Sequence, residues 1–169
     1  MRLNKKRKRQ GKTNYNKRLI LLKGRLPRLV VRKTNRYVII QIVESKNAQD
    51  KIIYSFNTRD LLKYSWPENK MGSLKSITAC YLGGLVLGKK LKMKKLILDT
   101  GLIPSTKGSR VYAVVKGISD SGVEINCDKK VFPDEKRIKE HEGIDFNKIQ
   151  ENIGKPIVSK KQSKEGVKK

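Results

Sequence analysis

Ser73-Leu74-Lys75-Ser76-Ile77-Thr78-Ala79-Cys80-Tyr81-Leu82-Gly83-Gly84-Leu85-Val86-Leu87-Gly88-Lys89-Lys90-Leu91 is the stretch on which the fold turns. Leu74, Ile77, Tyr81 and Leu85 recur at helical spacing, and Ser73 or Ser76 is placed to cap the start. The middle is apolar nearly all round, so the helix needs cover on more than one side and lies between layers. Upstream, Leu29-Val30-Val31 and Tyr37 to Val43 are β-branched runs split by Lys33-Thr34-Asn35-Arg36, a hairpin signal, and Ile52 to Phe56 adds a third strand. Thr58 to Tyr64 reads as a short helix with Thr58 as N-cap, halted before Trp66-Pro67. Downstream, Lys95 to Asp99 reads as a buried strand. Lys107 to Ser121 reads as a helix with Val111, Val114, Val115 and Ile118 on one face and Gly122 as the C′ residue, and Val123 to Ile125 as a last strand.

The predicted fold class is therefore α/β: a mixed sheet in which an antiparallel three-strand meander is followed by helix-strand-helix-strand. The later strands are parallel and joined by right-handed helical crossovers. The predicted organisation is a basic N-terminal extension over 1–26, a globular domain over 27–142 and a polar, Lys-rich tail over 143–169, with Asp134 to Glu142 as a final short helix. At 169 residues the chain has room for one core.

Charge is the strongest functional signal. The chain has 41 Lys+Arg against 15 Asp+Glu, a formal net charge of +26. The first carboxylate is Glu44, after fifteen Lys/Arg, and Gly154 to Lys169 add six Lys against Glu165 alone. Most of the excess thus lies at the two ends, and self-repulsion there calls for a polyanion. Met1 to Arg18 offers no apolar face to bury and reads as an extended segment, disordered when free. The longest nearly apolar stretch, Ile77 to Leu87, is too short for the roughly 20 residues that cross hydrocarbon, and no membrane partner is expected. Leu19-Ile20-Leu21-Leu22 is cut at once by Lys23, unlike a secretory signal, while an acid-free basic start leaves a mitochondrial presequence as an alternative. Cys80 and Cys127 are too few and too separated for a disulfide framework or a CxxC zinc site.

Catalytic readings fare poorly. Gly83 to Lys90 matches GxxxxGK, but Lys90 stands where a phosphate loop needs Ser or Thr, and the segment sits inside a helical pattern. The plainer reading is small residues that let a helix approach a neighbouring backbone. His141 is the single histidine and lies in a charged segment. Asp99 ends a strand without a carboxylate partner, so no acid/base pair or metal cluster forms. The expectation is no enzyme, no cofactor and no metal; the runner-up is a basic RNA-processing or ribosome-associated enzyme using Asp99 as a metal ligand.

The loop Ser105-Thr106-Lys107-Gly108-Ser109-Arg110 is more telling, because it joins a strand to a helix whose first amides point outward beside two cations, an arrangement that favours phosphate. Ordinary capping by Ser105 or Thr106 also accounts for those hydroxyls. Arg28, Arg32, Lys33 and Arg36 lie on or beside the hairpin, with Arg28 and Arg32 on one sheet face. Nothing resembles a DNA-reading helix-turn-helix, zinc finger or basic zipper. Cations spread over an N-terminal run (Arg2, Lys5, Lys6, Arg7, Lys8, Arg9), a hairpin and a loop suit the phosphates of a folded RNA. Tyr15, Tyr64 and Trp66 could stack on unpaired bases or, for the last two, pack in the core.

Gly11-Lys12-Thr13-Asn14-Tyr15 with Lys17-Arg18-Leu19, then Pro27-Arg28-Leu29-Val30-Val31-Arg32-Lys33-Thr34-Asn35, resembles the opening of universal large-subunit ribosomal protein eighteen in its archaeal and eukaryotic form. Arg59 to Tyr64, Ala79 to Leu85, Leu98 to Leu102, Ser105 to Ala113 and Phe132 to Ile138 look like successive blocks of the same family, in order. Asn126-Cys127 stands where that family carries Pro-His. The resemblance implies a ribonuclease-H-like layered sheet and a cytoplasmic ribosomal protein, not a homo-oligomer. It implies binding of 5S rRNA and attachment to the large-subunit (23S-type) rRNA in the central protuberance, beside universal protein five. It also implies RNA contacts from Lys12, Thr13, Asn14, Tyr15, Lys17 and Arg18, from Arg28 to Arg36 including Thr34 and Asn35, and from Ser105, Thr106, Lys107, Ser109 and Arg110.

Overall fold

The computed structural model describes residues 4–47, 49–139, 141 and 143–154. Strands β1 (Arg28–Lys33), β2 (Val38–Lys46) and β3 (Gln49–Asn57) form the expected antiparallel meander, and β4 (Lys95–Asp99) and β5 (Glu124–Ile125) extend it in parallel. The sheet order is β3-β2-β1-β4-β5. The register pairs Leu29 with Ile42 and Val31 with Ile40, so alternation sends these four to one face and Arg28, Val30 and Arg32 to the other.

Helices α1 (Lys6–Arg9) and α2 (Tyr15–Lys23) precede β1; α3 (Ile77–Lys90) and α4 (Arg110–Asp120) flank β4; α5 (Glu135–Lys139) and α6 (Phe146–Gly154) follow β5. The Ser76 hydroxyl caps α3 by accepting from the Ala79 amide at 3.2 Å. As its all-round apolar character requires, α3 is covered on every side. The sheet lies beneath it, α4 beside it, and α6 places Phe146 with its ring centroid 5.8 Å from that of Tyr81. The glycines that mimic a phosphate loop are packing residues. A Cβ at Gly84 would stand 2.4 Å from the Val114 carbonyl oxygen, and one at Gly117 would stand 2.2 Å from that of Tyr81. Two helices this close exclude any side chain at the crossing.

Several expectations change. The segment Thr58–Tyr64 is a 3-10 helix, and Thr58 does not cap it: its buried hydroxyl accepts from the Val38 amide at 3.0 Å, tying β2 to the segment after β3. Helix α4 starts at Arg110 rather than Lys107, because Gly108 turns the chain at φ +67° and its amide donates to the Val131 carbonyl. Gly122 does sit at C′, with φ +97°. The core runs past residue 142, since Ile144, Phe146, Ile149 and Ile153 are all buried in it, at helical spacing for the last three. Residues 155–169 lie outside the described part. Among the described residues no helix is long and apolar enough to cross a membrane.

Candidate nucleic-acid interface

The carboxyl ends of the parallel strands β1 and β4 lie side by side, and α/β sheets commonly gather ligands at such ends. Asp99 closes β4 there. Its two oxygens receive Arg28 Nη1 at 2.9 Å and Arg32 Nη2 at 3.0 Å, and Oδ1 also accepts from the Gly101 amide at 2.9 Å. Arg28 turns its other nitrogen, Nη2, to Asp50 at 2.9 Å and to the Ser45 hydroxyl at 3.1 Å. Asp50 in turn holds Arg18 of α2 at 2.7 Å and accepts a short hydrogen bond from Ser45. Burial pushes the Asp50 carboxyl up, but hydrogen bonds from Ser45, Arg18 and Arg28 and the Arg28 charge outweigh it and leave the group below its ordinary value.

This network reassigns some of the expected RNA-binding arginines. Arg28 has a side chain only 3% exposed and is held from inside the fold, so it cannot meet a phosphate. Arg32 is 42% exposed and still faces outward, although it is anchored to Asp99 through both the carboxylate and the backbone carbonyl, the latter at 2.8 Å. A metal role for Asp99 is likewise displaced, because guanidinium groups already occupy its oxygens. Among the described residues no three His, Cys, Asp or Glu side chains gather into a metal-holding group.

The N-terminal segment is not extended. The Asn14 side chain accepts from the Lys17 amide at 3.2 Å and so starts α2, whose Leu21 and Leu22 are half-buried. Gly24 then passes so close to β4 that a Cβ would stand 2.6 Å from Ile97 Cδ1. Arg7 Nε donates to Thr13 Oγ1 at 3.0 Å, the Lys12 amide donates to the Arg7 carbonyl, and Lys5 Nζ lies 4.8 Å from the centroid of the Tyr15 ring. Composition pointed to a free tail because it carries no signal for these local bonds or for docking through Arg18. Lys6, Lys8 and Arg9 stay exposed on α1, and Arg2 lies outside the described residues.

Between α2 and the loop after β4 runs a crevice of about 600 Å³. Lys12, Thr13, Asn14 and Lys17 line one wall, Thr100 to Ile103 the other, and Arg7, Arg32 and Lys33 the rim. A second crevice, about 460 Å³, shares Lys33 and Ile103 with the first. There the starts of α3 (Ser76, Thr78) and α4 (Ser109, Arg110) meet, beside Arg137 and His141. Two positive helix ends converge on one place. Ser109 Oγ is buried there without a hydrogen-bond partner among the described residues, and a Cβ at Gly108 would lie 3.1 Å from Arg137 Nη1.

Other predicted residues take structural duties. Thr34 closes the hairpin turn, its hydroxyl donating to the Tyr37 carbonyl at 2.6 Å, while Asn35 and Arg36 stay exposed at the tip. Ser105 bonds the Tyr112 hydroxyl rather than capping α4, and Thr106 and Lys107 are exposed in the loop. Tyr64 and Trp66 are core residues, the indole donating to the Lys70 carbonyl at 3.2 Å. Arg137 was not foreseen. It lies in a mixed-charge run with nothing local to mark it, and only the packing of α5 brings it to the start of α4.

A mixed α/β sheet whose strand ends carry two crevices lined by Lys and Arg, with Asp99 neutralised from within, is a surface suited to a polyanion. Comparison with known sequences narrows this. The family described as "Ribosomal large subunit proteins 60S L5, and 50S L18" matches residues 1–97. A protein of Korarchaeum cryptofilum named "Large ribosomal subunit protein uL18" is 43% identical over 150 residues, covering 86% of this chain and 75% of its own length. One of the same name from Methanothrix thermoacetophila is 39% identical over 137 residues, 79% of each chain. The chain belongs to this family of large-subunit ribosomal proteins, in its archaeal form, and the family is one of ribosomal proteins rather than enzymes.

Proposed function

We propose that the chain binds 5S rRNA and joins it to the large-subunit rRNA in the central protuberance, beside universal protein five, in the cytoplasmic ribosome. The observation that carries this reading is convergence. Cations from the N-terminal helices, the β1–β2 hairpin and the start of α4 surround one end of the sheet, although they are far apart in sequence. The residues offered to RNA are Lys5 to Arg9, Lys12, Lys17, Lys33, Arg36, Lys107 and Arg110, with Arg32 reaching from its anchor on Asp99. Arg28 is left out, and Arg137 is added.

Phosphate neutralisation releases counterions, so affinity falls with salt at about 0.9 in log–log slope for each duplex phosphate contacted. Replacing Lys5 to Arg9 with Ala removes exposed charge, together with the Arg7–Thr13 and Lys5–Tyr15 contacts, and flattens that slope in a titration of 5S rRNA, while the sheet core, into which α1 buries no side chain, keeps its melting transition. An unchanged slope removes the N-terminal run from the interface. Sedimentation of the endogenous protein away from the large subunit, or the lack of any crosslink to 5S rRNA, overturns the assignment to the central protuberance.

A further inference from the structure

We propose that the crevice between α2 and the loop after β4 holds one unpaired nucleotide of the bound RNA, its phosphate met by Lys12, Lys17 and Lys33 and its base lying against Leu102 and Ile20. This rests on the RNA-binding reading and specifies which part of the RNA enters here. The volume, about 600 Å³, is that of a small-ligand cleft. Its lip is also chemically divided. Leu102 is 53% exposed and Ile20 68% exposed, yet both line a crevice otherwise rimmed by Lys and Arg.

Apolar side chains of this size gain nothing beside the sugars and phosphates of a duplex, whose bases are stacked out of reach. They gain when an unstacked base covers them, as it does where proteins read loops and bulges. Among the described residues the only acid in the lining is Asp99, and both its oxygens are already held by Arg28 and Arg32, which offsets its repulsion of an entering phosphate. Gly101, at φ +63°, turns the chain just before Leu102, with the Arg32 guanidinium packed under it: a Cβ there would stand 3.0 Å from Arg32 Cζ. The bonds that anchor Arg32 to Asp99 thus also support the apolar lip.

The test uses the full chain and a 5S rRNA transcript carrying scattered 4-thiouridine. Irradiation is expected to crosslink Leu102 and Ile20 to unpaired uridines. The double variant Leu102→Ser, Ile20→Ser changes no charge and removes two largely exposed side chains, so it keeps the wild-type melting temperature. It binds 5S rRNA about fivefold or more weakly, as expected when two aliphatic side chains partly covered by a base are lost, with an unchanged salt slope. Equal affinity of variant and wild type, or crosslinks at these residues confined to paired nucleotides, overturns the nucleotide site while leaving RNA binding intact. Failure of the wild-type chain to bind the transcript at all overturns both readings.

Discussion

Gly84→Ala asks how closely α3 and α4 are pressed together. In a solvent-exposed helix this exchange stabilises by about 0.8–1.0 kcal/mol, since Ala is the better helix former. Here the new Cβ would stand 2.4 Å from the Val114 carbonyl oxygen and 3.1 Å from Val114 Cα, both backbone atoms that cannot rotate away. Reaching even 3.0 Å from the oxygen requires the helices to part by more than half an ångström, and gaps of about 0.5–1 Å forfeit a quarter to a half of each dispersion contact across the seam. Overpacking typically costs about 1–3 kcal/mol, so after the propensity gain the net loss lies between about 0 and 2 kcal/mol, and the rigid backbone atoms facing this Cβ put it in the upper half of that range. For a chain of this size that lowers the melting temperature by about 2–8 °C. Gly117→Ala repeats the clash from the other side, 2.2 Å from the Tyr81 carbonyl. Gly83→Ala is the control: the three atoms nearest its Cβ belong to the side chains of Ile40, Thr58 and Phe56 at 3.2–3.4 Å, a far milder conflict than one with backbone at 2.2–2.4 Å. Thermal melts followed by circular dichroism should rank Gly84→Ala and Gly117→Ala well below Gly83→Ala. A rise in melting temperature for Gly84→Ala would refute the close crossing and reopen the segment as an exposed glycine-rich helix.

Asp99→Ala strips the buried Arg28 of one carboxylate; with Asp50 and Ser45 still holding its other end, the loss should fall near the low end of the range for breaking a buried pair, about 3 kcal/mol, read as a lower urea midpoint. Asp50 titrates below its ordinary value when folded, so its contribution is complete above the unfolded value of about 3.9 and is lost as pH falls through the folded one. The stability advantage of wild type over Asp50→Asn, measured by urea unfolding, should therefore shrink once the pH drops below that unfolded value, and an advantage constant down to strong acid would exclude the ion pairs as its source. Burial pushes the Cys80 thiol up to about 12, whereas Cys127 is partly exposed and less perturbed. A thiol reagent at mild alkaline pH should label Cys127 alone in the folded protein and reach Cys80 only in denaturant.

Much of the fold was legible because the chain repeats one message at several levels. The hairpin around Lys33 to Arg36 has β-branched runs on both sides, α3 has an apolar girth and a Ser cap, and α4 has a single apolar face ended by Gly122. In each case the period of the apolar residues, the capping residue and the turn residue agree. α6 carried the same kind of signal in Phe146, Ile149 and Ile153, but its polar surroundings concealed it. Thr58 has the position of a cap in the sequence, but a hydroxyl near a helix start serves a neighbouring strand just as well, and here it takes the Val38 amide.

What the sequence determined alone is the kind of partner: a chain whose first 43 residues hold fifteen cations and no acid must meet a polyanion, and that follows from charge counting without a fold. Which cations are free to do so was decided by tertiary structure. Arg28 and Lys33 sit five residues apart with the same charge, yet one is sealed against Asp99 and Asp50 while the other stands exposed between two crevices. The difference comes from acids 22 and 71 residues away from Arg28 along the chain. Their positions depend on strand order and register, which no local pattern of residues contains.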